Sequence, residues 1–255
     1  MKFIRFEHKK KYFYGLLNNK KIRVYSDAPW KNGKAVDQII SINDVKLLSP
    51  CQPGKVVATA INYQGASGFT EKMDEPLVFI KPPSSVIGPN EKIISPFKDT
   101  SVWGEPELAI VIGKTLSKGN AYESSDAILG YTIANDVTCE NTHQRDHHLA
   151  RSKAADTFCV LGPWIDTKFI PGHKQVCGYQ NDILIRKGFF HERIWKEPEL
   201  LVWLSLWMTL EPGDVVLTGT PGRVVDRVYL KNNDKYCCEV EGLGKISNSF
   251  ISIYD

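Results

Sequence analysis

No stretch of this 255-residue chain is apolar over the roughly 20 residues that a membrane-spanning helix needs, so a helical membrane protein is not expected. Charge of one sign is also missing. The 32 Lys and Arg against 29 Asp and Glu leave +3, which gives no electrostatic support for a nucleic-acid or membrane-surface partner. The one basic run, HKKKY at 8–12, reads as a solvated edge or turn between two short strands. Six cysteines, at 51, 139, 159, 177, 237 and 238, show neither CxxC spacing nor the density of a disulfide scaffold, so a reduced, cytoplasmic compartment is expected. The segment MKFIRFEHKKKYF has no uninterrupted apolar stretch and no small-residue cleavage site, so no secretory signal is expected. Repeats and low-complexity segments are lacking too. What remains is an ordinary globular composition, with 42% hydrophobic residues, enough for a sizeable core.

The pattern changes near residue 50. Before it, FIRFE, KYFYGLL and KIRVYSD read as short strands broken by polar turns, a small β-rich appendage over residues 1–50. Pro53 and Gly54 mark the junction, and residues 51–255 form the larger domain. There the apolar runs PLVFIK, ELAIVIG, AILGYTIAND, FCVLGPWI and DVVLTGTP are short, β-branched or aromatic, and bounded by Gly, Pro or Asp, as buried strands are. Two helices are expected. One lies in YESSDAILG behind Ser124 or Ser125 as N-cap; the other, PELLVWLSLWMTL at 198–210, puts Leu200, Trp203, Leu204 and Trp207 on one stripe that faces the core. Cys237 and Cys238 are neighbours in a strand pattern and point to opposite faces.

Two places break the core pattern. WGEPELAIVIG, 103–113, sets Glu105 and Glu107 on one face of an entering strand, since side chains two apart in a strand point the same way. Two carboxylates that close raise each other's proton affinity unless a cation, another positive group or solvent offsets the repulsion. In GYTIANDVT, 130–138, Asp136 follows an apolar strand where it emerges. Alone it reads equally as a turn residue that satisfies backbone donors. With Glu105 and Glu107 it makes a set of three hard oxygen ligands that suits Mg²⁺, Mn²⁺ or Ca²⁺, and suits Zn²⁺ poorly without His or Cys.

WGEPELAIVIG, GYTIANDVT, KAADTFCVLGPWI, MTLEPGDVVLTGTP and VEGLGKISN, in that order and with EPLVFIKPPSSVIGP before them, resemble the motifs of the fumarylacetoacetate hydrolase family over about residues 51–255. The first fifty residues resemble the variable N-terminal extension that many members carry. The resemblance implies an α+β, mainly β fold: a mixed β-sheet roll or sandwich with a few peripheral helices. It implies that Glu105, Glu107 and Asp136 hold a divalent ion, usually Mg²⁺, that Lys153 reaches the substrate's oxygens, and that Thr220 meets the substrate carboxylate. It implies a 2-oxo acid or 1,3-dicarbonyl substrate such as an acylpyruvate or oxaloacetate, with the ion stabilising an enolate as a Lewis acid and Lys153 adding positive charge there. It also implies a homodimer. Lys81, in FIKPP, is similar to a family lysine in the site wall.

The sequence departs from the family in two places. Where members carry a His and a Glu that activate water, INYQGASGF has Ala66 and Phe69, neither of which accepts a proton; Glu71 lies nearby, without a histidine beside it. After Asp136, His143 stands where members carry a glutamine near the substrate, either as a surface histidine or as a replacement base. His143 and His147 share the spacing of one helical face but have no further ligand that makes a zinc site. C–C bond hydrolysis is the family default. The missing pair shifts the expectation toward an isomerase, tautomerase or decarboxylase, all of which need the enolate sink and only a modest proton carrier. A non-catalytic member that binds an oxo acid is the competing class.

Overall fold

A computed structural model describes residues 1–254 except 65, 67–73, 99, 142, 143 and 145. The first fifty residues form β1 (Lys2–His8), β2 (Lys11–Asn18), β3 (Lys21–Tyr25), β4 (Ala35–Ser41) and the short β5 (Lys46–Leu47). Strands β1 to β4 are an antiparallel meander. HKKKY is the β1–β2 turn, in which Lys9 and Lys10 both take positive φ, the geometry that matches the twist of the flanking strands. Alternation in these strands directs Ile4, Phe6, Ile22, Val24 and Ile40 into a small core of their own.

The remainder supplies β6 (Val56–Ala60), β7 (Leu77–Lys81), β8 (Val86–Ile87), β9 (Lys92–Ile94), β10 (Val102–Trp103), β11 (Pro106–Ile112), β12 (Ile128–Asp136) and β13 (Thr138–Cys139). After them come β14 (Cys159–Asp166), β15 (Gln175–Gln180), β16 (Ile183–Phe189), β17 (Val215–Leu217), β18 (Lys235–Val240) and β19 (Gly244–Ile251). One large sheet runs β4-β3-β2-β1-β14-β12-β11-β17-β6-β7, with β5 on β1 and β8 on β14; a second runs β16-β15-β18-β19-β9. Parallel pairs join β17 to β6, β14 to β8 and β19 to β9 within otherwise antiparallel ladders, so both sheets are mixed, and the chain is mainly β as expected. The N-terminal meander is hydrogen-bonded to the large sheet through β1 and β14, where Lys2 faces Asp166 and Phe3 faces Ile165.

Strand β11 explains why its sequence is apolar at every position but one. All seven residues are buried because the strand is covered on both faces, and the two faces serve different cores. Leu108 joins Ile133 and Val160 against Val176, Val240 and Phe250 of the second sheet. Ala109 and Val111 point the other way, into a second core with Ala58, Ala134 and Leu217. Ile110 and Ile112 pack under a helix with Leu200, Leu201 and Leu204. Each such side chain removed from water contributes about 1.5–3 kcal/mol. Cys237 and Cys238 separate across β18 as expected, Cys238 inward, and all six cysteines are free.

The helices are α1 (Ala121–Asp126), α2 (Ala150–Lys153) and α3 (Glu197–Ser205). Two expectations are corrected. The cap of α1 is Asn120, not Ser124 or Ser125: its Oδ1 accepts from the Tyr122 and Glu123 amides, and Glu123 returns a carboxylate to the Asn120 amide. Helix α3 stops at Ser205 rather than 210. Leu200 and Leu204 are buried as expected, but the chain leaves the helix before Trp207 can turn inward, and Trp207, 54% exposed, sits edge-on to half-buried Trp203.

One packing constraint bears directly on the site. At Gly104 an added Cβ would lie 2.4 Å from Cε1 of the Tyr236 ring, which is itself buried and has no room to withdraw. Gly104→Ala is therefore expected to cost about 1–3 kcal/mol of stability. A urea midpoint equal to that of the parent protein would contradict this packing.

Candidate metal centre

The antiparallel register of β11 and β12 sets three carboxylates side by side. Pro106 faces Asn135 and Glu107 faces Ala134, so the residue before β11, Glu105, falls opposite Asp136. Two hydrogen bonds fix that register: the Asp136 amide donates to the Glu105 carbonyl (2.9 Å), and the Glu105 amide donates to Asn135 Oδ1 (2.8 Å). Glu107, two residues on, shares the face, and one oxygen from each of the three carboxylates lies within 4.8 Å of the others. The neighbours on this face, Ala109 and Ala134, are small. Glu107 and Asp136 are almost fully buried.

Three cations arrive from three other elements. Lys153, at the end of α2, donates to Asp136 Oδ2 (2.5 Å) and Glu105 Oε2 (2.8 Å). Lys81, the last residue of β7 and wholly buried, donates to Asp136 Oδ1 (2.6 Å) and to the carbonyl of Lys153. Arg186, from β16, donates to Glu105 Oε1 (3.0 Å) and to the Pro221 carbonyl (2.7 Å). The Trp103 indole also donates to Glu105 Oε1 (2.9 Å), and the Gly219 amide donates to Glu107 Oε2 (2.6 Å). The sequence left Lys81 without a role beyond the site wall. It missed Arg186 altogether, because ILIRKGF carries no local mark and only the sheet topology brings it to Glu105.

The electrostatics separate the two glutamates. Burial alone would raise Glu105, but Lys153 and Arg186 bring its pKa down to about 2. Glu107 moves the other way: burial first, and then the charges of Asp136 and Glu105, raise its proton affinity well above the usual carboxylate range. Burial would weaken the Lys153 ammonium, yet the Asp136 and Glu105 carboxylates outweigh it and push its pKa up. Glu107 Oε1 accepts no hydrogen bond among the described residues. A hard divalent ion fits this donor set, since it would relieve the crowding that raises Glu107 and needs oxygen ligands of this kind.

The acids close the inner end of a cleft of about 480 Å³ that Thr59, Phe79, Leu149, Lys153 and Thr220 also line. The Thr220 hydroxyl is buried and has no partner among the described residues. Ala66 lines the same cleft, so a methyl group occupies this stretch of wall. His143, Phe69 and Glu71 lie outside the described residues. The site thus brings together Glu105, Glu107, Asp136, Lys153 and Thr220 of the residues singled out in the sequence.

The fold agrees with the comparisons to known proteins. The family profile for the fumarylacetoacetate hydrolase C-terminal domain matches residues 55–251, and a second profile, Rv2993c-like N-terminal, matches residues 1–50. The chain belongs to the fumarylacetoacetate hydrolase family, whose members include isomerases, tautomerases and hydrolases. It is 36% identical over 213 residues to Protein Rv2993c of Mycobacterium tuberculosis, covering 82% of this chain and 79% of that one. It is 35% identical over 228 residues to human oxaloacetate tautomerase FAHD2A, mitochondrial, covering 84% of this chain and 72% of the relative. Among solved structures, a 5-carboxymethyl-2-hydroxymuconate delta-isomerase from Mycobacterium smegmatis superposes with a TM-score of 0.90 at 32% identity, over 99% of this chain and 100% of that chain. Among the described residues no helix is long and apolar enough to cross a membrane.

Lys81 is the cation whose loss should be felt most in the fold. Lys81→Met removes its charge from a wholly buried pair with Asp136 and is expected to cost about 3 kcal/mol or more. Denaturant unfolding measures this, and a change well under half of it would show that Lys153 alone suffices for Asp136.

Proposed function

We propose that this protein is a divalent-cation-dependent enzyme that interconverts tautomers or double-bond isomers of a 2-oxo acid. The observation that carries the reading is the convergence of Glu105, Glu107, Asp136 and Lys153 at the buried end of a cleft whose wall at position 66 is a methyl group. Proton relocation next to a keto group needs a polarised oxygen and one proton carrier, and this constellation supplies the first without a dedicated water-activating pair. The names of the human tautomerase and the mycobacterial isomerase support the same class.

In this reading Glu105, Glu107 and Asp136 hold the ion, Mg²⁺ by family resemblance, with Mn²⁺ or Ca²⁺ compatible with the same ligands. When bound, it supplies Lewis acidity toward the oxygens of a 2-oxo acid. The chain's own residues do the rest. Lys153 uses two of its three N–H donors on Asp136 and Glu105, which leaves the third for the keto oxygen, where negative charge develops as the neighbouring carbon loses its proton. Thr220 turns its unpartnered hydroxyl to the substrate carboxylate. His143 takes the role of proton carrier from its place in the sequence alone. A homodimer belongs to the same proposal.

Hydrolytic C–C cleavage is the second reading, favoured by the family profile, and decarboxylation is the third; they differ in their products. Assays with oxaloacetate, acylpyruvates and hydroxydienoate acids, following enol absorbance, acid release and CO₂, separate them. Chelation with EDTA should abolish turnover, and Glu107→Ala should resist rescue by added metal; turnover without a metal ion overturns the proposal. His143→Ala should lower kcat by about 100-fold with metal affinity intact. Thr220→Val should raise KM by about tenfold with a smaller effect on kcat. An unchanged kcat in the histidine variant would move the proton carrier elsewhere.

A further inference from the structure

The cleft differs along its length in how its charges are paired. Its buried end carries three acids, two of which, Glu105 and Asp136, are paired with Lys81, Lys153 and Arg186. Its outer rim is the exposed segment 223–229, which contributes Arg223, Asp226 and Arg227 to the lining. Among the described residues neither Arg223 nor Arg227 enters an ion pair, Asp226 included.

Arg223 is held through its backbone and Arg227 through a ring contact, and neither of these contacts supplies a counter-charge. Arg223 sits directly across a β-bridge from Arg186, with the Val224 amide donating to the Ile185 carbonyl (2.9 Å). Like charges opposite one another across strands are unfavourable unless something negative lies between them. Partial burial and the charges of Arg227 and Arg186 lower the proton affinity of Arg223, as expected of cations gathered in one place. Arg227 lays its guanidinium over the Trp103 ring, 4.3 Å from the centroid, and the indole N–H of the same ring donates to Glu105. Stacking orients the planar fork without consuming its N–H donors.

We infer that Arg223 and Arg227 form an anion subsite at the outer end of the cleft, which selects 2-oxo acids with a second carboxylate over those with one. The inference rests on the 2-oxo acid reading above and deepens it. Two guanidiniums against the single Asp226 leave one net positive charge at the rim, which suits a carboxylate better than a doubly charged phosphate. A site built around a charged group discriminates strongly, because a ligand without that group leaves the site's own charges unpaired.

Calorimetric titration of the full chain with saturating Mg²⁺ tests this with chain-matched pairs, 2-oxoglutarate against 2-oxovalerate and 2-oxoadipate against 2-oxohexanoate. The diacid of at least one pair should bind about tenfold tighter or more. Arg223→Gln and Arg227→Gln should each shrink that ratio, and the double variant should bring it close to one while monoacid affinity is largely retained; Arg227→Lys should keep part of the preference. Equal affinities within both pairs in the parent protein would overturn the subsite and leave the 2-oxo acid reading standing. So would a ratio undiminished in the double variant. Failure of every 2-oxo acid to bind with the ion present would instead remove the functional reading, and the subsite with it.

Discussion

Crowded negative charge in a place with little water is the constraint around which this molecule is arranged. Three carboxylates whose oxygens approach within 4.8 Å repel strongly in a low-dielectric interior, where a charge without a counter-charge costs several kcal/mol. Their backbone positions follow from one antiparallel register, but their charge is tolerated only because other elements converge on it. Strand β7 delivers Lys81, helix α2 delivers Lys153, β16 delivers Arg186 and the turn after β17 delivers the Gly219 amide. Four separate parts of the chain must be in place before the three acids can be held side by side. Glu107 is the acid left least satisfied, which makes it the point where a divalent ion would relieve most.

The legible parts of this arrangement were those with a short-range period. Strand alternation placed Glu105 and Glu107 on one face from sequence alone, and the apolar runs announced β11, β12, β14 and β17 because buried strands have nothing else to show. Lys153 was visible only through family resemblance, since α2 spans four residues and carries no periodic signal. Arg186 was invisible for a different reason: its strand pairs with β15, and its encounter with Glu105 depends on how two sheets face each other. The misplaced cap of α1 had a local remedy. Asn120 is followed three residues later by Glu123, the spacing of a capping box, but the serines further along drew the assignment inward. Trp207 failed as a core residue because helical spacing says which face a side chain would share, not where the helix ends.

Trp103 ties the two ends of the cleft together. Its indole N–H holds Glu105 at the inner end while its ring face carries Arg227 at the outer end, so one aromatic side chain orients a carboxylate and a guanidinium through two different parts of its electronic structure. Gly104 beside it has no side chain because the Tyr236 ring fills that space. The sequence WGE is thus a compact solution in which an orienting ring, a gap and a ligand follow one another along the chain.

The pairing of β1 with β14 has a wider meaning. Two sequence families meet near residue 50, one profile matching residues 1–50 and the other residues 55–251. Mechanically they are not separate: β14 bonds to the meander on one side and, on the other, to β12, the strand that ends in Asp136. A boundary that reads as a seam in the language of families is, in the language of hydrogen-bonded ladders, a continuous weave whose next thread but one ends in Asp136.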